Sequence, residues 1–278
     1  MRHLIVSLRL SSLFMVVLLL LPDSRASAAS IPHGTVDLVA ENQWIAPGRQ
    51  TYLGLNFQLE KGWHIYWINP GDSGQPPRVQ WHLPDGLSAG EIEWPAPRRL
   101  GASTIVDFGY DGAVMLLVPV RASSTLPANK TARIVAELSV LVCREICVPG
   151  KTQISLSLPI ESAAPEPDAP GSDLFTAARK SLPRKPPDDW KFTVNNKKDS
   201  FILIAKLGRQ ITRAFFFPLA ESQIDNSAPQ VIVPAATGFQ LTLKKSDQLL
   251  APIKRLEGVL EISANQTYVI DVAVGNAL

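Results

Sequence analysis

Short runs of alternating apolar and polar residues occupy most of the chain and predict β-strands. In residues 51–59 every second residue from Leu53 is apolar, as expected of a strand that buries one face. Turn-forming residues such as Pro47-Gly48 and Pro84-Asp85-Gly86 separate the runs. Within residues 30–160 the runs predict strands at 35–40, 51–59, 78–83, 113–120, 131–142 and 152–158.

A second block of predicted strands follows a segment of different composition. Residues 161–189 are rich in proline, alanine and acidic residues, as is typical of a linker, and they predict a short helix at 173–181 with Ser172 as its cap. Strands are then predicted at 201–205, 211–217, 230–233, 239–243, 256–262 and 268–274. Regular short strands with little helix indicate an all-β chain with a β-sandwich in each block, and the periodicity also fits a barrel.

The first residues of the chain have the pattern of a secretory signal. Arg2, His3 and Arg9 give a basic start, residues 10–21 are mostly apolar, and Ala26-Ser27-Ala28 forms a small-x-small cleavage site. An apolar run of about a dozen residues is shorter than the roughly 20 that a spanning helix needs. We therefore expect a signal peptide at residues 1–28, a mature chain in the periplasm, and no membrane span after cleavage.

Composition and motif content exclude several classes of function. The formal charge is +2 and no Lys/Arg cluster stands out, so a nucleic-acid partner is not expected. The chain has no Gly-rich phosphate loop, no serine-nucleophile elbow and no HExxH motif. We accordingly expect no bound cofactor and no resident metal.

The two cysteines, Cys143 and Cys147, are the most informative chemistry in the chain. Both lie in the part expected to be exported, where disulfides form and persist. Sulfurs four residues apart can meet across a tight turn or bulge, because bridged Cα atoms usually lie about 4.4–6.8 Å apart. Closing a loop of about five residues stabilises a fold by only roughly 2 kcal/mol in the chain-entropy model.

This small entropic gain favours a reversible redox pair over a structural disulfide, and two alternatives stay open. One is a non-redox binding or assembly module in which the bridge is structural. The other is a copper-handling protein, because thiolates are soft ligands that select Cu(I). His64 and His82 have no spacing that relates them to the cysteines.

Two aromatic clusters flank this chemistry. The tryptophan-rich run at residues 63–67, together with Trp81 and Trp94, is interpreted as part of the core first and as a docking face second. Residues 107–111, an Asp-Phe-Gly-Tyr-Asp sequence, are interpreted as a mobile loop.

The first block resembles the N-terminal domain of periplasmic thiol:disulfide interchange proteins of the DsbD type, and it is most similar to the ScsB-like copper-sensitivity-suppressor branch. The resemblance in the first block rests on GWHIYWINPGDSG at 62–74, WPAP at 94–97, FGY at 108–110 and CREICVPG at 143–150. In the second block it rests on FFP at 216–218, IDNSAPQ at 224–230 and LEGVL at 256–260.

The resemblance implies two immunoglobulin-like β-sandwich domains, at residues 29–160 and 190–278, joined by the Pro/Ala-rich linker at 161–189. It implies that Cys147 is the attacking thiol of a protein-disulfide reductase-like module and that Cys143 resolves the mixed disulfide. It also places a cap loop over the disulfide, with Asp107 in the loop and Phe108 and Tyr110 as candidate shields.

The partners implied by the resemblance are thioredoxin-fold periplasmic proteins. The sequence includes no polytopic membrane segment and no thioredoxin-like segment, and its cysteine spacing is shorter than in well-known members of the family. Either a separate membrane-embedded thiol reductase is therefore the electron donor, which is the expectation, or the domain has been put to another use.

Overall fold

The computed structural model describes residues 28–101, 105–164, 169–263 and 266–275. The signal peptide expected at residues 1–28 lies outside the described residues except for Ala28. No helix within the described ranges is both long and apolar enough to cross a bilayer.

The first block contains two sheets built from short, alternating strands. Their bounds are β1 (Ala29–Ile31), β2 (Gly34–Ala40), β3 (Gln50–Leu59), β4 (His64–Gly71), β5 (Arg78–His82), β6 (Leu87–Ala89), β7 (Arg98–Leu100), β8 (Asp107–Asp111), β9 (Ala113–Ala122), β10 (Lys130–Cys143) and β11 (Cys147–Ile160). One sheet has the order β1-β2-β3-β9-β6, and the other has the order β11-β10-β4-β8-β7, with β5 pairing with β10. Inward-facing residues of both sheets form one core, as in a β-sandwich.

The second block follows the helix α1 (Ala169–Ser181). Its strands are β12 (Lys191–Asn196), β13 (Ser200–Lys206), β14 (Phe215–Pro218), β15 (Val231–Ala235), β16 (Gly238–Lys244), β17 (Arg255–Ser263) and β18 (Gln266–Gly275). They run in the order β14-β17-β18-β12-β13-β16-β15, and only the end of β18 pairs in parallel with β12, at Val194↔Val274 and Asn195↔Gly275. The sheet curls at this junction, so that Leu203, Leu241 and Leu260 share a second core.

The two blocks pack against each other through the first core. Phe217, on β14 of the second block, is buried within that core and lies edge-on to Phe108 and Trp67, with ring centroids 5.2 and 6.4 Å away. Two polar contacts accompany it, because the Asn69 side chain donates to the Pro218 carbonyl and the Asn226 side chain donates to Asp72, each at 2.8 Å. The contact between the blocks is therefore apolar at its centre and hydrogen-bonded beside it.

The segment predicted as a linker is largely docked. Phe175 of α1 is buried with Met115 and Leu117 of β9 in a small separate cluster. Arg179 forms an ion pair with Glu41 at 2.7 Å. Past the helix, the Arg184 backbone pairs with Thr267 and Val269 of the second block. The segment thus contacts both blocks instead of spanning open solvent between them.

The expected all-β fold class is confirmed, and most predicted strands lie within a few residues of the observed ones. Three local predictions need correction. The helix begins at Ala169 instead of residue 173, the strand predicted at 211–217 is present only from Phe215, and residues 107–111 form strand β8 instead of a loop.

Phe217→Ala tests the packing between the blocks. Deleting a fully buried phenylalanine costs about 3–5 kcal/mol, because it removes apolar burial and leaves a cavity. We expect urea unfolding of the full chain to show a loss of that size. Val231→Ala, at a side chain that is 54% exposed, is the matched control and should change the free energy of unfolding by less than about 0.5 kcal/mol. Equal effects of the two substitutions would contradict this packing.

Candidate functional site

The disulfide closes the end of the β10–β11 hairpin. The two strands are paired along their whole length, from Lys130↔Ile160 to Cys143↔Cys147. Alternating buried residues of β10 fix this register against the core: Ala132, Ile134, Ala136, Leu138, Val140 and Val142. Because the register sets the two cysteines opposite each other, their Cα atoms are 4.1 Å apart and a Cys143–Cys147 disulfide forms.

The two sulfur-bearing residues differ sharply in exposure. Cys143 is 2% exposed, because β4 lies beside it and His64 pairs with it in the ladder. Cys147 is exposed, and the preceding Ile146 is 66% exposed at the tip of the hairpin. A molecule approaching from solvent therefore meets Cys147 first.

Tyr66 places a phenol hydroxyl against Cys147. Its oxygen lies 3.6 Å from the Cys147 Sγ, and the phenol is the donor because a disulfide sulfur carries no hydrogen. Tyr66 is completely buried, and burial raises the pKa of its hydroxyl above the ordinary value. The phenol consequently keeps its proton at neutral pH and can donate to sulfur.

A short stretch of chain covers Tyr66, and we call residues 71–74 the cover segment. Gly74 lies directly against the phenol end of the Tyr66 ring, with a φ of 85° that favours glycine, and a Cβ at this position would overlap the ring. Both the backbone N–H and the hydroxyl of Ser73 donate to the Asp107 carboxylate, at 3.2 and 2.8 Å. The cover segment thus packs on the phenol end of the Tyr66 ring and is tied to β8 through Asp107.

His64 and Asp107 add two titratable groups to the same face. The His64 Nε2 is 3.9 Å from the Asp107 carboxylate, and it has no hydrogen-bond partner among the described residues. Burial lowers the pKa of His64, although the Asp107 and Asp111 charges oppose that effect. Burial also raises the pKa of Asp107, against the hydrogen bonds from Ser73 and the nearby His64.

A charged residue at the hairpin tip, Arg144, makes a cation–π contact with Trp63. The Arg144 guanidinium lies 5.1 Å from the ring centre of Trp63, while His33 stacks on the same indole at 3.5 Å. Arg144 and Glu145 are both exposed. The cation–π contact orients Arg144 along the protein surface beside the disulfide.

Strand pairing sorts the predicted cap residues onto two different faces. His64 is opposite Cys143 on one side and opposite Asp111 on the other, and Tyr66 is opposite Gly109. Paired residues of neighbouring strands lie on the same face, so the odd-numbered residues of β8 lie on the face that carries the disulfide. Asp107 is on this face, as its contact with Ser73 shows. Phe108 and Tyr110 turn to the other face.

The placement of Phe108 and Tyr110 as shields over the disulfide is therefore corrected. Phe108 is fully buried against Phe217, and the Tyr110 hydroxyl donates to the Pro95 carbonyl at 2.8 Å. Both side chains belong to the first core, because alternation along an extended strand leaves them no access to the disulfide face.

Sequence reasoning found the cysteines and Asp107 but missed Tyr66, His64 and Ser73 as neighbours of the disulfide. The available signal is the alternation in residues 63–68. In an extended strand His64 and Tyr66 lie on one face, and Trp63 and Trp67 lie on the other. No group of three or more His, Cys, Asp or Glu side chains suited to a metal ion occurs among the described residues.

The lowered pKa of His64 predicts a pH-dependent stability. The unfolded chain takes up a proton at the ordinary histidine pKa of 6.5, whereas the folded chain does so only at lower pH. The free energy of unfolding should therefore fall as pH decreases from about 7 through the folded pKa of His64. The raised pKa of Asp107 acts in the opposite direction and at lower pH, because its loss of stability begins as pH rises above 3.8.

Urea unfolding of wild type and His64→Gln between pH 7.5 and 5.5 measures this effect. The substitution should flatten the decline in stability with falling pH. Tyr66→Phe is the control, since it alters the same face without removing the histidine, and it should keep the decline. An equally steep decline in His64→Gln would contradict the assignment.

The chain is similar to known proteins in sequence family and in fold. Residues 35–159 match the family model described as the N-terminal part of thiol:disulfide interchange protein DsbD. The crystal structure of the N-terminal periplasmic domain of ScsB from Proteus mirabilis matches with a TM-score of 0.67 at 17% identity, covering 90% of this chain and 98% of that chain. No curated protein sequence gives a significant match.

The structural likeness extends over both blocks and concerns the fold, whereas the family match is confined to the first block. That match includes both cysteines, His64, Tyr66 and Asp107. Residues 35–159 of this chain are similar to the N-terminal domain of the thiol:disulfide interchange protein DsbD family.

Proposed function

We propose that this protein is a periplasmic thiol–disulfide exchange protein that relays reducing equivalents through Cys143 and Cys147. The observation that carries the proposal is the unequal exposure of the bridged pair, with Cys147 exposed and Cys143 buried. Thiol–disulfide exchange needs one sulfur that a partner can reach and a second sulfur held close to the first. The family of residues 35–159 supports the same class of chemistry.

The exchange proceeds in two displacement steps. In the reduced protein, the Cys147 thiolate attacks one sulfur of a partner disulfide, so that a mixed disulfide forms and the other partner sulfur leaves as a thiolate and takes a proton. The Cys143 thiolate then attacks the Cys147 sulfur, restores the intramolecular disulfide and releases the second partner thiol. Two electrons pass to the partner, and a donor dithiol must return two electrons to begin another cycle.

Tyr66 has a role in this chemistry that follows from its position. A protonated phenol beside Cys147 donates a hydrogen bond to a thiolate more strongly than to a neutral thiol, because the acceptor is charged. Such a bond lowers the pKa of the thiol and increases the fraction of attacking thiolate at neutral pH.

A purely structural role explains this bridge less well. The hairpin is already paired along its whole length, so a link between Cys143 and Cys147 closes a loop whose ends the register has brought together. The chain-entropy estimate for this loop is roughly 2 kcal/mol, against nearly 5 for a 100-residue loop. A structural disulfide in a binding module remains the alternative that the experiment below tests.

The surface around Cys147 supports protein partners. Cys147 and Ile146 lie at the end of a hairpin, where a partner carrying its own cysteine pair can approach, and Ile146 offers an apolar contact. We propose thioredoxin-fold proteins of the periplasm as these partners, and a separate membrane-embedded thiol reductase as the electron donor. In this scheme residues 29–160 carry the exchange, residues 161–189 connect the domains, and residues 190–278 form a docking or spacing domain.

Trapping of the thiols tests the relay directly. Free thiols of the full chain are blocked in the periplasm with a mass-adding alkylator, with and without supply of reductant. Cys143→Ala should accumulate a mixed disulfide on Cys147 with a thioredoxin-fold protein, because the resolving thiol is absent. Cys147→Ala is the matched control and should trap much less, since its remaining thiol is buried.

Three results would overturn the relay in favour of a structural bridge. The pair would stay fully oxidised whatever the supply of reductant, Cys143→Ala would give no adduct, and the reduction potential would lie below about −300 mV, where bridges resist the thiol pool.

Tyr66→Phe tests the role of the phenol. We expect the pKa of Cys147 in the reduced protein to rise, because the thiolate loses its donor. Exchange at pH 7 should slow by about threefold per pKa unit where the pKa lies above 7, because the roughly tenfold smaller thiolate fraction is partly offset by the greater nucleophilicity of the more basic thiolate. The pH dependence of iodoacetamide alkylation of Cys147 measures the pKa. Tyr52→Phe, which removes a phenol that bonds Glu93 elsewhere in the domain, is the control. An unchanged pKa in Tyr66→Phe would contradict the role.

A further inference from the structure

The Asn226 side chain of the second block donates a hydrogen bond to the cover segment beside the disulfide site. We propose that Asn226 is a positioning residue that holds the cover segment, and through it Tyr66, against Cys147. This inference rests on the proposed exchange function and assigns part of its control to the second block.

The first link of the connection is the clamp on Asp72. Asn226 is 8% exposed, and its Nδ2 donates to one carboxylate oxygen of Asp72 at 2.8 Å. The other oxygen of Asp72 accepts the Val106 N–H at 2.8 Å, and the Asp72 N–H donates to the Val106 carbonyl at 2.9 Å. Asp72 is therefore fixed simultaneously to Val106 of the first block, the residue before β8, and to the second block.

The second link runs along the cover segment to the sulfur. Ser73, next to Asp72, is bonded to Asp107 through both its backbone and its hydroxyl. Gly74 then lies on the Tyr66 ring, whose hydroxyl reaches Cys147. Only Ser73 lies between Asp72, which contacts Asn226, and Gly74, which contacts Tyr66, so a displacement of Asp72 moves Gly74.

A second polar contact between the blocks anchors the chain on the other side of the cover segment. Between Tyr66 and Gly71 the pairing of β4 with β8 is irregular, and Asn69 lies in this irregular stretch. The Asn69 side chain is 1% exposed, donates to the Pro218 carbonyl at 2.8 Å and accepts the Gly71 N–H at 3.0 Å. The chain from Tyr66 to Gly74 is therefore tied to the second block at both Asn69 and Asp72.

If Asn226 positions Tyr66, its removal has an effect on the pKa of Cys147 that a loss of fold stability alone would not produce. If Asn226 acts through Tyr66, its removal changes the acidity of the Cys147 thiol and does so only while the phenol is present. If Asn226 only stabilises the fold, the acidity of Cys147 in the folded protein stays the same. A double-mutant cycle separates the two cases.

The experiment uses the full chain carrying Cys143→Ala, which leaves Cys147 as its single thiol. The rate of iodoacetamide alkylation is measured from pH 5 to 10 in this background, with Asn226→Ala, with Tyr66→Phe and with both substitutions. We expect Asn226→Ala to raise the pKa of Cys147 and to lower the alkylation rate at pH 7 by about threefold to tenfold, tenfold corresponding to one pKa unit. With both substitutions the pKa should equal that of Tyr66→Phe alone.

Two further variants keep the result interpretable. Asp72→Ala removes the same hydrogen bond from the exposed side together with the bond to the Val106 N–H, so it should raise the pKa of Cys147 at least as far, even where Asn226→Ala does not fold. Asn196→Ala breaks the bond to Lys245 elsewhere in the second block, so it should leave the pKa of Cys147 unchanged.

An unchanged pKa in Asn226→Ala and Asp72→Ala, or shifts that add to that of Tyr66→Phe, would overturn the proposal. The alkylation assay needs no partner protein. A failure of the relay in the trapping experiment is therefore distinguishable from a failure of this coupling.

Discussion

The register of the β10–β11 hairpin is the constraint on which the site depends. Each residue of these strands is assigned to a face by the alternating buried residues of β10, and a slip by one position would send the two cysteines to different partners. The same register sets Cys143 beside His64 on β4. The disulfide, the histidine and the phenol of Tyr66 are consequently neighbours because of sheet geometry, although Tyr66 and Cys147 are far apart in sequence.

The two sulfurs differ in exposure because of β4, the strand that lies beside β10 in the sheet. β4 covers Cys143 and leaves Cys147 at the free end of the hairpin, so the same sheet supplies both a protected thiol and an accessible one. Irregular pairing beyond Tyr66 lets the chain fold back over the phenol. The second block contacts Asn69 in this irregular stretch and Asp72 in the cover segment that follows it, which links the accessibility of the site to the packing of the whole chain.

How far the sequence predicts this structure depends on whether the information is local. Strands that bury one face, such as β3 and β10, were predicted nearly to their ends because alternation marks them. The sequence does not predict β4, because the consecutive apolar or aromatic residues Ile65, Tyr66 and Trp67 interrupt the alternation of polar and apolar residues. β8 was interpreted as a loop because Gly109 and the flanking acids are typical of loops. The contacts of Tyr66 and Asn226 depend on pairing between distant segments, which a single sequence does not display.

Strand β8 is a single strand with the disulfide site on one face and the apolar contact between the blocks on the other. Asp107 faces the disulfide, and its neighbour Phe108 faces Phe217 of the second block. Asp107 and Phe108 are adjacent in sequence but contact different surfaces. A substitution that repacks one of them therefore shifts the backbone that carries the other. The first block is consequently not a freely transplantable module: residues 29–160 moved to another scaffold would expose Phe108 and Trp67 to water and release the chain that covers Tyr66. Any engineering of this protein would have to treat its two sandwiches as one unit of design.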